Sequence, residues 1–256
     1  MKALVFILLF ITPFSYSQEY PLKNGKPTSE GIRRYIEDNR DSLVREYQSF
    51  TGDTLYDVLI YTDDFGIKVG QDSLELGWYF QNEVIISTDT LFIAYELADL
   101  SRFERASHPE SNKFVKSTVF HELTHYYIHL IKEEMEQRDR VTVNRAYAPG
   151  LWIVRGPFMF GSTFIEEGIC EYQVGRMGEI IVPKRPIVPE TREQLTSGQN
   201  RYEMVYKYAA YYLQTFLDTT GFKKGVKILM HNPPPSYEEI LKPELFFGRL
   251  EYPEDE

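Results

Sequence analysis

The sequence predicts an α+β fold with a small N-terminal sheet followed by a mainly helical C-terminal half, and three observations predict it. Runs rich in Val, Ile, Tyr, Phe and Trp, separated by turns containing Gly and Asp, fall between residues 55 and 88. Stretches with apolar residues at helical spacing stand on both sides of those runs. Beyond a proline-rich break near residue 185, helical periodicity takes over.

The elements follow in order. Ser29 to Phe50 reads as a helix, with Ser29 as its N-cap and Ile32, Tyr35, Ile36, Leu43 and Tyr47 as a broken apolar stripe. Leu55–Thr62, Leu74–Gln81 and Glu83–Thr88 read as strands. Residues 112–137 form the clearest helix, because Phe114, Val115, Thr118, Val119, Leu123, Ile128 and Leu130 cluster at helical spacing ahead of the charged run Lys132–Arg140. A second helix is predicted from Ser162 to Gly175. Three prolines then break regular structure in Ile181–Pro189, since proline cannot donate a backbone hydrogen bond. Tyr202–Thr219 and Phe222–Met230 read as helices divided by Gly221, which suits a helix C-terminus. The turn Asn232-Pro233-Pro234-Pro235-Ser236 precedes one more short helix and the acidic tail Glu254-Asp255-Glu256.

Composition narrows the function classes. The 256 residues carry 28 Lys and Arg against 38 Asp and Glu, a formal charge of −10. That excess of acid disfavours nucleic acid as a partner, because binding a polyanion requires basic groups to displace its counterions. One cysteine, Cys170, allows no internal disulfide and no zinc site built from several thiolates. It reads as a small buried hydrophobe. Any metal would have to be held by His and carboxylate.

Residues 1–17 have the pattern of a secretory signal peptide: Lys2, the apolar run Ala3–Ile11, and the small residues of Ser15-Tyr16-Ser17. The run ends at Thr12-Pro13, short of the about 20 apolar residues a membrane span requires. The expected organisation is therefore a signal peptide (1–17), an α+β zinc-binding catalytic part (18–180) and a helical C-terminal subdomain (181–256). The expected location is secreted or periplasmic, with no stable membrane insertion after signal removal.

The chemistry is concentrated in Thr118-Val119-Phe120-His121-Glu122-Leu123-Thr124-His125-Tyr126-Tyr127, which contains His-Glu-x-x-His on a predicted helix. Residues four apart project from one helix face, so His121 and His125 suit two ligands of one zinc ion. Glu122 lies beside them as a general base able to take a proton from water and pass it to a departing amine. A third protein ligand is expected, with the fourth position left open. Position 128 is Ile rather than Gly and position 131 is Ile rather than His, which excludes the metzincin pattern. His129 is eight residues from His121, about 12 Å along a helix, too far to share a metal with it.

The third ligand is sought in Phe164-Ile165-Glu166-Glu167-Gly168-Ile169-Cys170-Glu171-Tyr172. This segment resembles the Asn-Glu-Gly-Phe-Ala-x-Tyr segment of the gluzincin metallopeptidases, the thermolysin-like and aminopeptidase-like clan. The resemblance implies Glu167 as the ligand completing a His-His-Glu site for Zn2+, Gly168 as a close-packing glycine, Cys170 as the small residue and Tyr172 as the aromatic. Glu171, one turn on, either orients one of the two histidines or is itself the ligand. Tyr208 to Leu217 with Gly221-Phe222 looks like the cleft-closing helical segment of small gluzincins in the peptidase-MA-like group. The implied fold is zincin-like, with the active-site helix below a small sheet whose edge strand, Trp78 to Ser87, could pair with an extended peptide.

Two departures qualify the likeness. Between His125 and Glu167 lie 41 residues, more than is typical of the aminopeptidases, and their Gly-Ala-Met-Glu-Asn exopeptidase motif is absent. The insert, including Tyr147-Ala148-Pro149-Gly150 and Gly156-Pro157, is expected over the cleft. Gluzincins commonly use Tyr or His to stabilise the oxyanion. Here the candidates are Tyr206, Tyr208, Tyr211, Tyr212 and His231, with Tyr208 and Tyr211 foremost. The expected activity is that of a secreted zinc-dependent metallopeptidase acting on peptide or protein substrates. The alternative is a secreted, non-catalytic zinc-containing binding or scaffold protein. Oligomeric state is not legible in the sequence.

Overall fold

The computed structural model describes residues 22–23, 26–63, 77–80, 83–87, 108–147, 158–178, 186–196 and 203–253. The expected signal peptide, residues 148–157 of the insert, the first part of the proline-rich connector and the acidic tail lie outside the described residues.

Two short strands, β1 (Leu22–Lys23) and β2 (Lys26–Pro27), pair antiparallel ahead of helix α1 (Ser29–Thr51). The N-cap of α1 is Thr28, not Ser29. Thr28 has the extended backbone a cap requires, and its hydroxyl accepts the Gly31 N–H at 3.0 Å, whereas Ser29 is already helical. At the other end Gly52 takes φ 75° and donates its N–H to the Gln48 carbonyl, closing the helix in a left-handed conformation that glycine adopts without strain.

A three-stranded sheet follows, in the order β3 (Leu59–Asp63), β5 (Glu83–Ser87), β4 (Gly77–Phe80). β3 runs parallel to β5, with Leu59 beside Glu83, and β4 runs antiparallel to it, with Trp78 beside Ile85. The first strand begins later than expected because Asp57, at φ 58°, interrupts the extended backbone. The expected edge strand also shrinks. β5 is paired on both sides, so within the described sheet only the β4 part of Trp78–Ser87 lies at an edge.

Ile60, Val84 and Ile86 are fully buried. Helix α2 (His108–Gln137) packs against β4 and β5 and against α1. Its apolar residues Val119, Phe120, Leu123, Ile128, Ile131 and Met135 lie in the core, which explains why no narrow amphipathic stripe marks this helix.

Helix α3 (Phe158–Arg176) crosses α2 and leads, through the short helix α4 (Arg192–Thr196), to a π-helical segment Glu203–Tyr208 that continues as α5 (Ala209–Thr220). The single helix expected over Tyr202–Thr219 is thus two kinds of helix in series. Gly221, at φ 80°, separates α5 from α6 (Phe222–His231). The proline turn ends at Ser236, whose hydroxyl and Glu239 form a reciprocal capping box at the start of α7 (Tyr237–Leu241), followed by α8 (Pro243–Gly248).

The protein has the broad α+β class. One continuous hydrophobic core contains Ile36 and Val119 from before residue 180 and Leu213, Leu229 and Phe246 from after it. No helix among the described residues is long and apolar enough to cross a membrane.

Candidate functional site

The orientation of the two histidines is set from the core side of α2. Thr124 is fully buried, donates to the Phe120 carbonyl at 2.7 Å and accepts the Tyr47 hydroxyl of α1 at 2.9 Å. With Phe120, Leu123 and Thr124 fixed inward, positions 121 and 125 are turned toward α3 at the helical repeat. The rings of His121 and His125 stand 5.0 Å apart at 69°.

Helix α3 presents Glu167, Cys170 and Glu171 on one face, as their three- and four-residue spacing requires. The Glu167 carboxylate oxygen Oε2 lies 2.9 Å from His121 Nε2 and 3.6 Å from His125 Nε2. Glu171 Oε1 reaches the other nitrogen of His121, Nδ1, at 3.1 Å. Glu167 thus faces both imidazoles, and Glu171 meets one of them from the opposite side. Neighbouring Glu166 points elsewhere, accepting from Lys132, whose Nζ also donates to the Tyr147 carbonyl at 3.0 Å.

Gly168 is a close-packing glycine whose neighbour is α5. A Cβ there would sit 2.8 Å from the Ala209 Cβ and 2.9 Å from its backbone carbon, so the missing side chain lets α3 approach α5, not α2. Tyr172 completes the brace. Its hydroxyl donates to Asp218 at 2.6 Å while its ring stacks on Phe222.

The cluster is electrostatically unbalanced. Burial alone would push the His121 pKa down, but hydrogen bonds to Glu167 and Glu171 and the nearby charge of Glu122 hold it well above the ordinary value. His125 is raised too: the negative charge of Glu167 overcomes burial. Burial would raise Glu167, yet His125 and His121 hold it far below the usual carboxylate range, so it is ionised. Three acidic side chains thus surround two imidazoles, a setting that favours a cation. The distances are compatible with one, because two ligands of a tetrahedral ion with bonds of about 2.1 Å stand roughly 3.4 Å apart, between the two observed Glu167 separations.

Cys170 is nearer to this cluster than its reading as a mere space-filler suggested. Its sulfur and one nitrogen from each of His121 and His125 lie within 4.8 Å of one another. Burial and the charges of Glu167 and Glu122 push the thiol pKa well up, so Cys170 is a neutral thiol beside an ionised carboxylate. Glu167 is already in the deprotonated form a metal ligand needs, and Cys170 is not.

Glu122 is 6% exposed, and its negative charge helps raise both histidines, so it is close to the pair as the motif requires. The tyrosines rearrange the expectation. Tyr208 is buried and donates to the Ile240 carbonyl at 3.0 Å, and Tyr211 is 48% exposed. Among the described residues neither touches the two imidazoles. Tyr212 donates to the Glu239 carbonyl at 3.1 Å. Tyr206 is the one set against the site, its ring centroid 6.0 Å from that of His121. The π-helical turn, which adds a residue to the turn ahead of α5, brings Tyr206 to this position while Tyr208 turns into the core. No sequence signal marks that register. His129 faces Glu133 at 3.5 Å on its own helix, and His231 Nδ1 is 2.9 Å from the Thr142 carbonyl, so both are engaged apart from the cluster.

Compared with known proteins, the chain matches no family model, no curated protein and no solved structure.

Proposed function

We propose that this chain is a zinc-dependent metallopeptidase of the gluzincin type, with a zincin-like arrangement of sheet over active-site helix, and that it acts outside the cytoplasm on peptide or protein substrates. The observation that carries the reading is the convergence of the Glu167 carboxylate on the Nε2 atoms of His121 and His125, with Glu171 on the opposite nitrogen of His121. His121, His125 and Glu167 would hold Zn2+. Bound there, zinc supplies a Lewis acid that polarises a peptide carbonyl and makes a water molecule acidic near neutral pH.

The chain's own groups do the rest. Glu171 accepts the Nδ1 hydrogen of His121, which presents Nε2 as the lone-pair donor. Glu122, beside the pair on the same helix, takes a proton on its carboxylate and returns it to the leaving amine. Tyr206 can donate its hydroxyl hydrogen to the oxygen on which charge develops. Edge strand β4, against α2, offers backbone pairing to an extended substrate.

The proximity of Cys170 favours one second reading, a scaffold in which a fourth protein donor closes the site. Metal analysis of wild type and Glu122→Gln, with hydrolysis of a broad peptide library, tests both. About one zinc in each protein and cleavage by wild type alone is expected. Zinc without cleavage in wild type would overturn the peptidase in favour of the scaffold, and absence of zinc would overturn both.

A further inference from the structure

The thiol of Cys170 is fully buried at the edge of the core and makes no hydrogen bond among the described residues, and its sulfur lies within 4.8 Å of a nitrogen of each of the two imidazoles. It stands three residues after Glu167 on α3, so carboxylate and sulfur approach the same histidine pair from successive positions of one helix face. A small ion held by His121 and His125 has a hard oxygen donor and a soft sulfur donor within reach.

We infer that the site contains a second, thiophilic ligand set, His121–His125–Cys170, which takes soft cations such as Cd2+ through sulfur in place of Glu167. The inference rests on the histidine pair being a metal site, as proposed above. As the sulfur–metal bond forms, the thiol proton passes to solvent, and no electron transfer is involved. Soft ions favour sulfur over carboxylate oxygen, so the identity of the cation selects the third donor. Such an ion would occupy the peptidase site in a geometry that leaves Glu167 outside the ligand set.

The test is titration of the full chain with Cd2+ alone, followed by ultraviolet absorption, in wild type, Glu167→Gln and Cys170→Ala, with far-ultraviolet circular dichroism as the check on folding. Wild type and Glu167→Gln should bind about one Cd2+ and develop the sulfur-to-cadmium charge-transfer absorption that oxygen and nitrogen ligands do not give. Cys170→Ala should lose that absorption and about tenfold or more in Cd2+ affinity, with Zn2+ affinity changed far less. Cys170→Ser serves if the alanine variant does not fold. Stoichiometric Cd2+ and Zn2+ binding without the absorption would overturn this inference and leave the peptidase reading standing. Failure of wild type to bind either ion would overturn both.

Discussion

Glu167 and Glu171 hold the two nitrogens of a single imidazole, His121, at 2.9 Å and 3.1 Å, from consecutive turns of one helix. The ring cannot rotate or slide without losing one of them. Substituting Glu171 by Gln should keep the fold and lower zinc affinity about 10–100-fold, because the orienting acceptor is weakened while the ligands remain. Competition with a chelator of known affinity measures this. An unchanged affinity would show that His121 is oriented by other groups.

The raised pKa values of His121 and His125 set the pH behaviour of the metal-free protein. Each folded value lies above the unfolded one of about 6.5, so its stabilising contribution is complete below that pH and is lost as pH rises through the folded value. Glu167 is depressed, so its contribution is present above an unfolded value of about 4.3 and is lost only in stronger acid. Thermal unfolding without metal should therefore be most favourable to the fold between about pH 4.5 and 6.5 and decline on the alkaline side. Zinc binding near neutral pH should release protons, seen as a dependence of calorimetric enthalpy on buffer. No such dependence would mean that the imidazoles are already neutral.

At Gly168 an alanine would place its Cβ against the Ala209 side chain and backbone. Gly168→Ala should destabilise the protein by about 1–3 kcal/mol, read from the shift in urea midpoint, because the backbone of α5 must move away. It should also lower activity, since the π-helical turn carrying Tyr206 ends at that contact.

Tyr206 and Tyr208 should separate cleanly. Tyr206→Phe is expected to lower kcat/KM by about 100-fold at unchanged zinc content, within the about 3 kcal/mol that an oxyanion donor contributes. Tyr208→Phe removes the bond to the Ile240 carbonyl and should cost about 1 kcal/mol of stability with activity retained. The reverse pattern would return Tyr208 to the catalytic role.

Much of this architecture is legible in the sequence because its signals are local. The spacing of His121 and His125 places them on one helix face wherever that helix sits, and the helices around residues 36, 123 and 169 follow from their apolar periodicity. The pairing of α2 with α3 was approachable only by likeness to a known ligand pattern, since 41 residues of chain separate His125 and Glu167. What escaped depends on backbone register. One extra residue in the turn ahead of α5 sets Tyr206 against His121 and turns Tyr208 into the core, and nothing in a run of tyrosines announces it. The helix partner of Gly168 was likewise hidden, because a glycine records that something comes close but not what does.

Glu166 and Glu167 are adjacent and chemically identical, yet Lys132 claims the first and the histidines claim the second. Successive helix positions differ by about 100° of azimuth, so the Lys132 tether acts as an indexing pin for the rotation of α3. The buried residues Phe164, Ile165 and Ile169 and the contact of Gly168 with Ala209 fix the same rotation from the core side. A lysine about two turns beyond His125 thus shares in fixing which of two adjacent, equivalent acids faces the imidazoles.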